Sequence, residues 1–143
     1  MTEWGSPRLR IQRACHQLGQ PEVVRRCLNL LAGGPDDGDF IVTLGGAPAV
    51  RLLADGFPPG QAYWLRVWAA RGLLWAGPGD DPDGLRAALA DDHWRVREMA
   101  CKVVARHRVG DLLGDVADLE SDPVRRVRGA AARALIRIVD AEA

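Results

Sequence analysis

Several features are absent from this chain, and each absence excludes a class of protein. No apolar stretch of about 18 residues without charge is present, so we expect no membrane-spanning helix. Residues 1–13 lack the apolar run of a secretory leader, and we expect no signal peptide. The formal net charge of the 143 residues is zero, so no overall field draws the protein to nucleic acid or anionic lipid. A single domain with its own core is the expected product of this length.

Cysteine is scarce. Cys15, Cys27 and Cys101 are odd in number and widely separated in the sequence. This pattern does not indicate a disulfide framework and is typical of reduced thiols packed as small apolar residues. It predicts a cytoplasmic protein.

Groups that perform catalysis or bind metals are also rare. The two serines, Ser6 and Ser121, lie near no plausible base, and the three histidines are isolated in the sequence. No cysteine–histidine spacing fits a zinc site. The acidic turns at 35–39 and 79–84 lack the alternating ligands and terminal glutamate of a calcium loop. We therefore expect no catalytic residue, no metal and no cofactor.

The strongest positive signal is an internal repeat with an offset of 31 residues. Three segments begin with an apolar residue followed by arginine, and small and apolar residues recur at matching distances after each start. Repetition of this length is typical of stacked supersecondary units that bury their apolar faces against one another. The matching positions are Leu65, Val96 and Val127; Arg66, Arg97 and Arg128; Ala69, Ala100 and Ala131; Leu73, Val104 and Leu135.

Apolar residues are spaced by three and four along nearly the whole chain, which predicts helices. Only residues 40–44 are β-like, and they fit either a short helical turn or an extended connector. Asp92 and Asp122 precede two of the predicted helices and are suited to accept hydrogen bonds from the free amides of the first turn. The predicted helices span residues 7–18, 21–31, 47–54, 61–76, 83–90, 94–107, 111–119 and 123–139.

The helix pairs, with Asp in the connecting turn and Val-Arg-x-x-Ala opening the second helix, resemble HEAT repeats of the short bacterial, phycobilin-lyase type. Residues 92–100 and 122–131 carry the resemblance most clearly. It implies an all-α fold, an α-solenoid of about four stacked antiparallel helix pairs in one domain over 1–143. A divergent N-terminal pair at 7–32 would be followed by repeats at 47–76, 83–107 and 111–139.

The resemblance also implies a structural role for the repeated arginine. In HEAT-like proteins this residue pairs with carboxylates of the turns. Arg66, Arg97 and Arg128 are therefore expected to bind the turn aspartates, for which Asp91, Asp92 and Asp122 are the available partners.

Four further positions of each second helix share one side, which we call the second-helix face. In a HEAT solenoid this face lines the concave surface, so one end would be aromatic and the other cationic. Glu98 is the one carboxylate there and is expected to pair with Lys102 four residues on. The positions of the face are Trp64, Arg95 and Arg126; Trp68, Met99 and Ala130; Arg71, Lys102 and Arg133; Trp75, Arg106 and Arg137.

Tryptophan and arginine are frequent energetic anchors of protein interfaces. The leading hypothesis is therefore a non-enzymatic interaction module that binds a protein partner, such as an acidic segment, on the second-helix face. Two other readings stay open for this face. Its charges are simply solvated, or its tryptophans are covered by the long connection before residue 61 or by the N-terminal pair.

A hypothesis from a different class is nucleic-acid binding, because a basic column runs beside stackable tryptophan rings. Trp64, Trp68, Arg71 and Arg106 resemble, in part, the basic and aromatic surface of alkylpurine DNA glycosylases. Those enzymes are longer, and their catalytic positions do not align with this chain.

The last helix is apolar on more than one side. Ala132, Ile136 and Val139 have no segment left in the chain to cover them. A solenoid end that exposes its stacking surface favours self-association. We therefore expect a homodimer through this helix.

Overall fold

The computed structural model describes residues 5–35 and 38–142, with side chains as far as Asp140. Three sets of positions named in the predictions above lie outside these residues. They are the first four residues of the stretch considered as a leader, Asp36 and Asp37 of the first acidic turn, and the C-terminal Ala143.

The described residues form helices and no strand, so the all-α prediction is confirmed. Residues 40–44, left open by the sequence, belong to a helix in which Phe40, Ile41 and Leu44 are buried. Residues 111–119 form a short helix flanked by two 3-10 turns, Gly110–Leu112 and Leu119–Ser121. The helices are α1 (Pro7–Leu18), α2 (Gln20–Leu31), α3 (Gly38–Gly45), α4 (Ala47–Asp55), α5 (Tyr63–Ala76), α6 (Asp83–Leu89), α7 (Trp94–His107), α8 (Leu113–Asp118) and α9 (Arg125–Glu142).

The start of α7 differs from the prediction that Asp92 caps it. Asp92 is exposed, and the carboxylate of Asp91 instead accepts a hydrogen bond from the His93 amide at 2.9 Å. Asp122 accepts the equivalent bond from the Val124 amide, also at 2.9 Å. The repeat offset explains the correction, because Asp91 and Asp122 are 31 residues apart whereas Asp92 corresponds to Pro123.

The helices stack in two layers. One layer contains α1, α5, α7 and α9, and the other contains α2, α6 and α8. Each of α5, α7 and α9 packs on one helix of the second layer, namely α2, α6 and α8. Ile11, Leu73, Val104 and Ile138 come from all four helices of the first layer and lie in one continuous core.

The pairing within the predicted repeat 47–76 differs from the packing. In the structure α2, rather than α4, is the second-layer partner of α5, and α4 packs on α3. Of α4 only Ala49 is fully buried, and Val50 and Leu53 remain largely exposed, so its apolar side chains are not packed against α5. Residues 38–55 are thus an insertion between α2 and α5, with α3 packed on both α1 and α5.

Gly72 permits the close approach of α5 to α2. A Cβ atom added there would lie 2.6 Å from the Cys27 sulfur and 3.0 Å from a Leu44 methyl carbon. Gly72→Ala is therefore expected to lower the free energy of unfolding by about 1–2 kcal/mol, because overpacking outweighs the gain in helix propensity. Urea denaturation measures the change.

Gly114→Ala is the matched control for this prediction. Gly114 also lies within a helix, and an added Cβ would meet no atom within 4 Å. The control is expected to be neutral or stabilising by up to about 1 kcal/mol. Equal stability of the two variants would contradict the tight α2–α5 packing.

Candidate functional site

The repeated arginines form a ladder of contacts along the inter-helix turns. Arg66 Nε donates to Asp91 Oδ2 at 2.7 Å, and Arg97 Nε donates to Asp122 Oδ2 at 2.8 Å. Each guanidinium makes a second bond to the same carboxylate at 3.2 Å, so both pairs are bidentate. Arg128 instead donates Nη1 to the Asp122 carbonyl oxygen at 2.7 Å. These three side chains bind the turns between the helices, as the resemblance implied.

Asp122 is the most deeply buried carboxylate of this ladder. Burial alone would raise its pKa, but hydrogen bonds from Arg97 and the Val124 amide outweigh that effect and place the pKa below its ordinary value. Asp122 therefore stays ionised at neutral pH and anchors both α7 and the turn before α9.

The insertion covers the aromatic end of the second-helix face. Trp68 is only 5 % exposed, and its ring centroid lies 6.4 Å from those of Phe57 and Trp64. Gly45 of α3 approaches so closely that an added Cβ would lie 2.7 Å from the Trp68 ring. Trp68 is therefore a core residue and not a partner-binding one. The reading in which the long connection covers the tryptophans is the correct one for this residue.

Arg71 is covered by the same insertion. Its Nη2 donates to the Leu44 carbonyl at 2.9 Å, at the C-terminal end of α3. Arg10 of α1 reaches the same end, with Nε 2.8 Å from the Thr43 carbonyl and Nη2 3.2 Å from that of Leu44. Burial lowers the pKa of Arg71, and the neighbouring Arg10 charge lowers it further. These two arginines bind backbone carbonyls and are not available to a partner.

Three arginines of the face, Arg95, Arg106 and Arg126, lie on tryptophan rings of the protein itself. Arg95 is 5.2 Å from the Trp64 centroid and 4.5 Å from that of Trp94. Arg106 lies 4.6 Å from the Trp75 centroid. Cation–π contacts of this kind are favourable and orient the guanidinium, so the half-buried rings of Trp64 and Trp75 are already occupied on one side.

Glu98 pairs differently from the expectation. Its carboxylate accepts from Arg126 Nε at 2.9 Å, across the α7–α9 contact, and the Arg126 guanidinium also lies 5.3 Å from the Trp94 centroid. The predicted bond to Lys102 is not formed, because the buried carboxylate is directed at the neighbouring helix. Met99 is half-buried against the core and contributes packing.

Four cations of the face, one of them Arg106, surround an open hollow, which we call the basic groove. Lys102 and Arg106 of α7 and Arg133 and Arg137 of α9 line it, and the hollow has a volume of about 390 Å³. Its apolar lining consists of Leu74, Ala105 and Ile136. No carboxylate of the described residues lines it. Among the described residues, Lys102, Arg133 and Arg137 have no ion-pair partner.

The opposite layer carries the acidic charge. A second hollow, near α6 and α8, is lined by Asp91, Asp92, Asp115 and Asp118 together with Arg86 and Arg97. Charge is thus separated between two surfaces of a protein whose formal net charge is zero.

His93 was not singled out by the sequence and joins two repeats. Its ring stacks on Tyr63 at a centroid distance of 3.5 Å and an interplanar angle of 9°. Its Nδ1 accepts from the Arg95 amide at 3.2 Å, which caps α7. Burial, followed by the Arg95 charge, lowers the His93 pKa. The neutral ring is therefore the form that the fold stabilises.

This arrangement predicts a loss of stability in mild acid. Because the folded-state pKa of His93 lies below the unfolded value of about 6.5, the unfolded chain binds the proton first. The free energy of unfolding should fall as pH drops below that value, and the fall should end once pH has passed the folded pKa. The loss should stay below about 1 kcal/mol because solvent screens the half-buried ring.

Thermal unfolding between pH 7 and pH 5.5 measures the effect. His93→Asn is the control, because asparagine caps helices well and does not titrate. Its pH slope should be shallower than that of the wild type. Identical slopes in the two proteins would contradict the assignment to His93.

The fold and this surface define an all-helical repeat protein with a basic groove between two of its repeats. Residues 82–143, which contain α6 to α9, match the family model of HEAT repeats. This part of the chain therefore consists of HEAT repeats, as the sequence resemblance predicted. No curated protein and no solved structure matches it significantly.

Two further findings concern the described residues alone. No helix among them is long and apolar enough to cross a membrane. In the same part of the chain, no three His, Cys, Asp or Glu side chains are grouped so that they could hold a metal ion.

Proposed function

We propose that this HEAT-repeat protein is a non-enzymatic interaction module that binds an acidic segment of a protein partner in the basic groove. HEAT repeats generally mediate protein interactions, and stacked repeats supply extended binding surfaces. The observation that carries the proposal is the set of cations in the groove. Among the described residues, three of these cations have no ion-pair partner and no carboxylate lines the hollow.

The composition of the groove favours a partner segment that is both acidic and apolar. Leu74, Ala105 and Ile136 offer apolar surface between the cations, and the Ile136 side chain is 59 % exposed. Carboxylates of the partner would pair with arginine and lysine, while an apolar side chain would cover Ile136. The second-helix face therefore binds through its cationic end, since its aromatic end is covered or occupied.

Selection from a random peptide display library tests this proposal without assuming a partner. Peptides that bind the full-length protein should be enriched in Asp or Glu interleaved with apolar residues. The enrichment should vanish for the Lys102→Glu, Arg133→Glu double variant. An enrichment that persists in this variant, or one without acidic residues, contradicts the proposal.

Nucleic acid is an alternative occupant of a cationic groove. The rings of Trp64, Trp75 and Trp94 carry arginines on their faces, which leaves less ring surface for base stacking. Binding of short single-stranded and duplex DNA should therefore be weak at low salt. Tight binding whose affinity falls steeply as the salt concentration rises would show that the groove binds nucleic acid and not a protein segment.

A second copy of the chain is the other alternative. Ile136 and Val139 are 59 % and 55 % exposed, as the predicted dimer surface requires. A two-fold contact there would, however, bring Arg133 and Arg137 of both copies towards each other. Sedimentation at tens of micromolar tests this alternative. If the protein is a monomer, the groove is available to a different partner. A dimer that dissociates in the Ile136→Lys variant would establish self-association through this surface.

A further inference from the structure

Within the described part of the chain, helix α3 lies between two helices of the first layer. Helix α3 packs on both α1 and α5, and its side chains Phe40, Ile41 and Leu44 are buried. Its last carbonyls, those of Thr43 and Leu44, accept hydrogen bonds from Arg10 of α1 and Arg71 of α5. A short apolar helix is thus held with its C-terminal end between two cations, one from each flanking helix.

The physical reason for this polarity is the helix end itself. The last carbonyls of a helix have no intrahelical partner and carry a partial negative charge of about half an electron. Guanidinium groups satisfy these carbonyls and stabilise that charge. No carboxylate bonds to Arg10 or Arg71 among the described residues, so backbone carbonyls alone receive their hydrogen bonds.

The basic groove has a similar arrangement of cations beside apolar residues. The repeat offset of 31 relates Arg71 to Lys102 and Lys102 to Arg133. The groove has one cation from each flanking helix, Lys102 from α7 and Arg133 from α9, beside apolar Ala105 and Ile136. Arg10 is not related to these positions by the offset, so the likeness to the α3 site lies in the chemistry of the two cations. Arg106 and Arg137 follow one turn further along the same two helices.

We propose that the segment bound by the basic groove is a short helix that places its C-terminal end, with acidic residues in the last turn, against Lys102 and Arg133. Its apolar side covers Ala105 and Ile136, as α3 covers α1 and α5. This inference rests on the proposed function and adds to it the conformation and direction of the partner segment. A carboxylate in the last turn of the partner helix carries a full negative charge, in addition to the partial charge of the helix end. It can pair with the cations of the groove that have no ion-pair partner among the described residues.

Two fluorescent peptides with fixed helicity test the direction. Both are stapled, acetylated and amidated, with the same composition and net charge. One carries two glutamates in its last turn, and the other has the reversed sequence with the glutamates in its first turn. Anisotropy titrations with the full-length protein at low salt should give an affinity about tenfold higher for the first peptide.

Substitutions in the groove show where the peptide binds. The Lys102→Gln, Arg133→Gln double variant should lose most of the binding of the first peptide. Arg13→Gln with Arg51→Gln is the matched control, since both arginines are exposed and lie on α1 and α4. This control removes the same charge and should bind the peptide as the wild type does.

The possible failures are distinguishable. If both peptides bind equally well and both lose affinity in the Lys102→Gln, Arg133→Gln variant, the direction is overturned while the groove remains the site for an acidic segment. If neither peptide binds the wild type better than this variant, the direction and the proposed function are both overturned.

Discussion

Trp68→Ala is expected to lower the free energy of unfolding by about 3–5 kcal/mol, the range for truncating a fully packed tryptophan. The ring lies beneath the insertion, 6.4 Å from the Phe57 centroid, and Gly45 packs directly on it. Removing the ring would leave a cavity between α3 and α5, and residues of both helices would lose their contacts with it. Urea denaturation followed by far-ultraviolet circular dichroism measures the change.

Trp75→Ala is the matched control in the same helix. Trp75 is half-buried, with Arg8 and Arg106 lying 5.3 and 4.6 Å from its centroid. Its loss should reduce stability by only about 1–2 kcal/mol, because less apolar area and one or two cation–π contacts are removed. A Trp68→Ala protein as stable as the Trp75→Ala protein would show that Trp68 is not covered by α3.

Asp122→Ala is expected to destabilise the protein by about 3–5 kcal/mol. The Asp122 side chain is 4 % exposed and that of its partner Arg97 is 14 % exposed, so the change leaves a guanidinium without its carboxylate in a mostly buried position. The variant also removes the acceptor of the Val124 amide before α9. The denaturation midpoint should fall with an unchanged denaturant slope.

Asp91→Ala makes the same change at the equivalent aspartate, which lies one repeat earlier in the chain. Its ion pair with Arg66 is more exposed, at 12 % and 31 % of the two side chains, so solvent compensates more of the loss. The expected destabilisation is about 1–2 kcal/mol. Equal losses of unfolding free energy in the two variants would contradict the conclusion that burial determines how much each aspartate–arginine pair stabilises the fold.

The fold was predictable because the repeated signals are local. Spacing of apolar residues by three and four, together with the 31-residue offset, placed α7 at its observed bounds and the second-layer helices close to theirs. The pairing of α5 was not predictable. The helix nearest in sequence, α4, has apolar side chains such as Val50 and Leu53, yet these stay exposed. Gly72 instead allows α2 to pack closely on α5, a contact between residues far apart in the sequence.

The candidate site was predictable where the repeats continue and not where the insertion interrupts them. Lys102, Arg133 and Arg137 are on the predicted face and line a groove with Arg106. Trp68 and Arg71 occupy equivalent positions by sequence, but α3 covers them, and α3 has no counterpart in the other repeats. The offset itself could have assigned Asp91 instead of Asp92, since Asp91 precedes Asp122 by 31 residues.

Contacts between neighbouring helices were the hardest to anticipate. Glu98 was expected to bind Lys102 because both lie on one helix, yet its carboxylate meets Arg126 of α9 at 2.9 Å. The stack of Tyr63 on His93 joins two repeats in the same way. Helical spacing describes one helix at a time, so it does not report which side chains of adjacent helices meet.

Chemical-shift mapping tests most directly whether the basic groove is the protein-binding surface. The probe is the stapled peptide with glutamates in its last turn, added to the isotope-labelled full-length protein. Saturable shifts should concentrate at Lys102, Ala105, Arg133 and Arg137, while the indole resonance of Trp68 stays in place. Shifts concentrated at Asp115 and Asp118 of the acidic hollow, or none that saturate, would contradict the assignment of the groove.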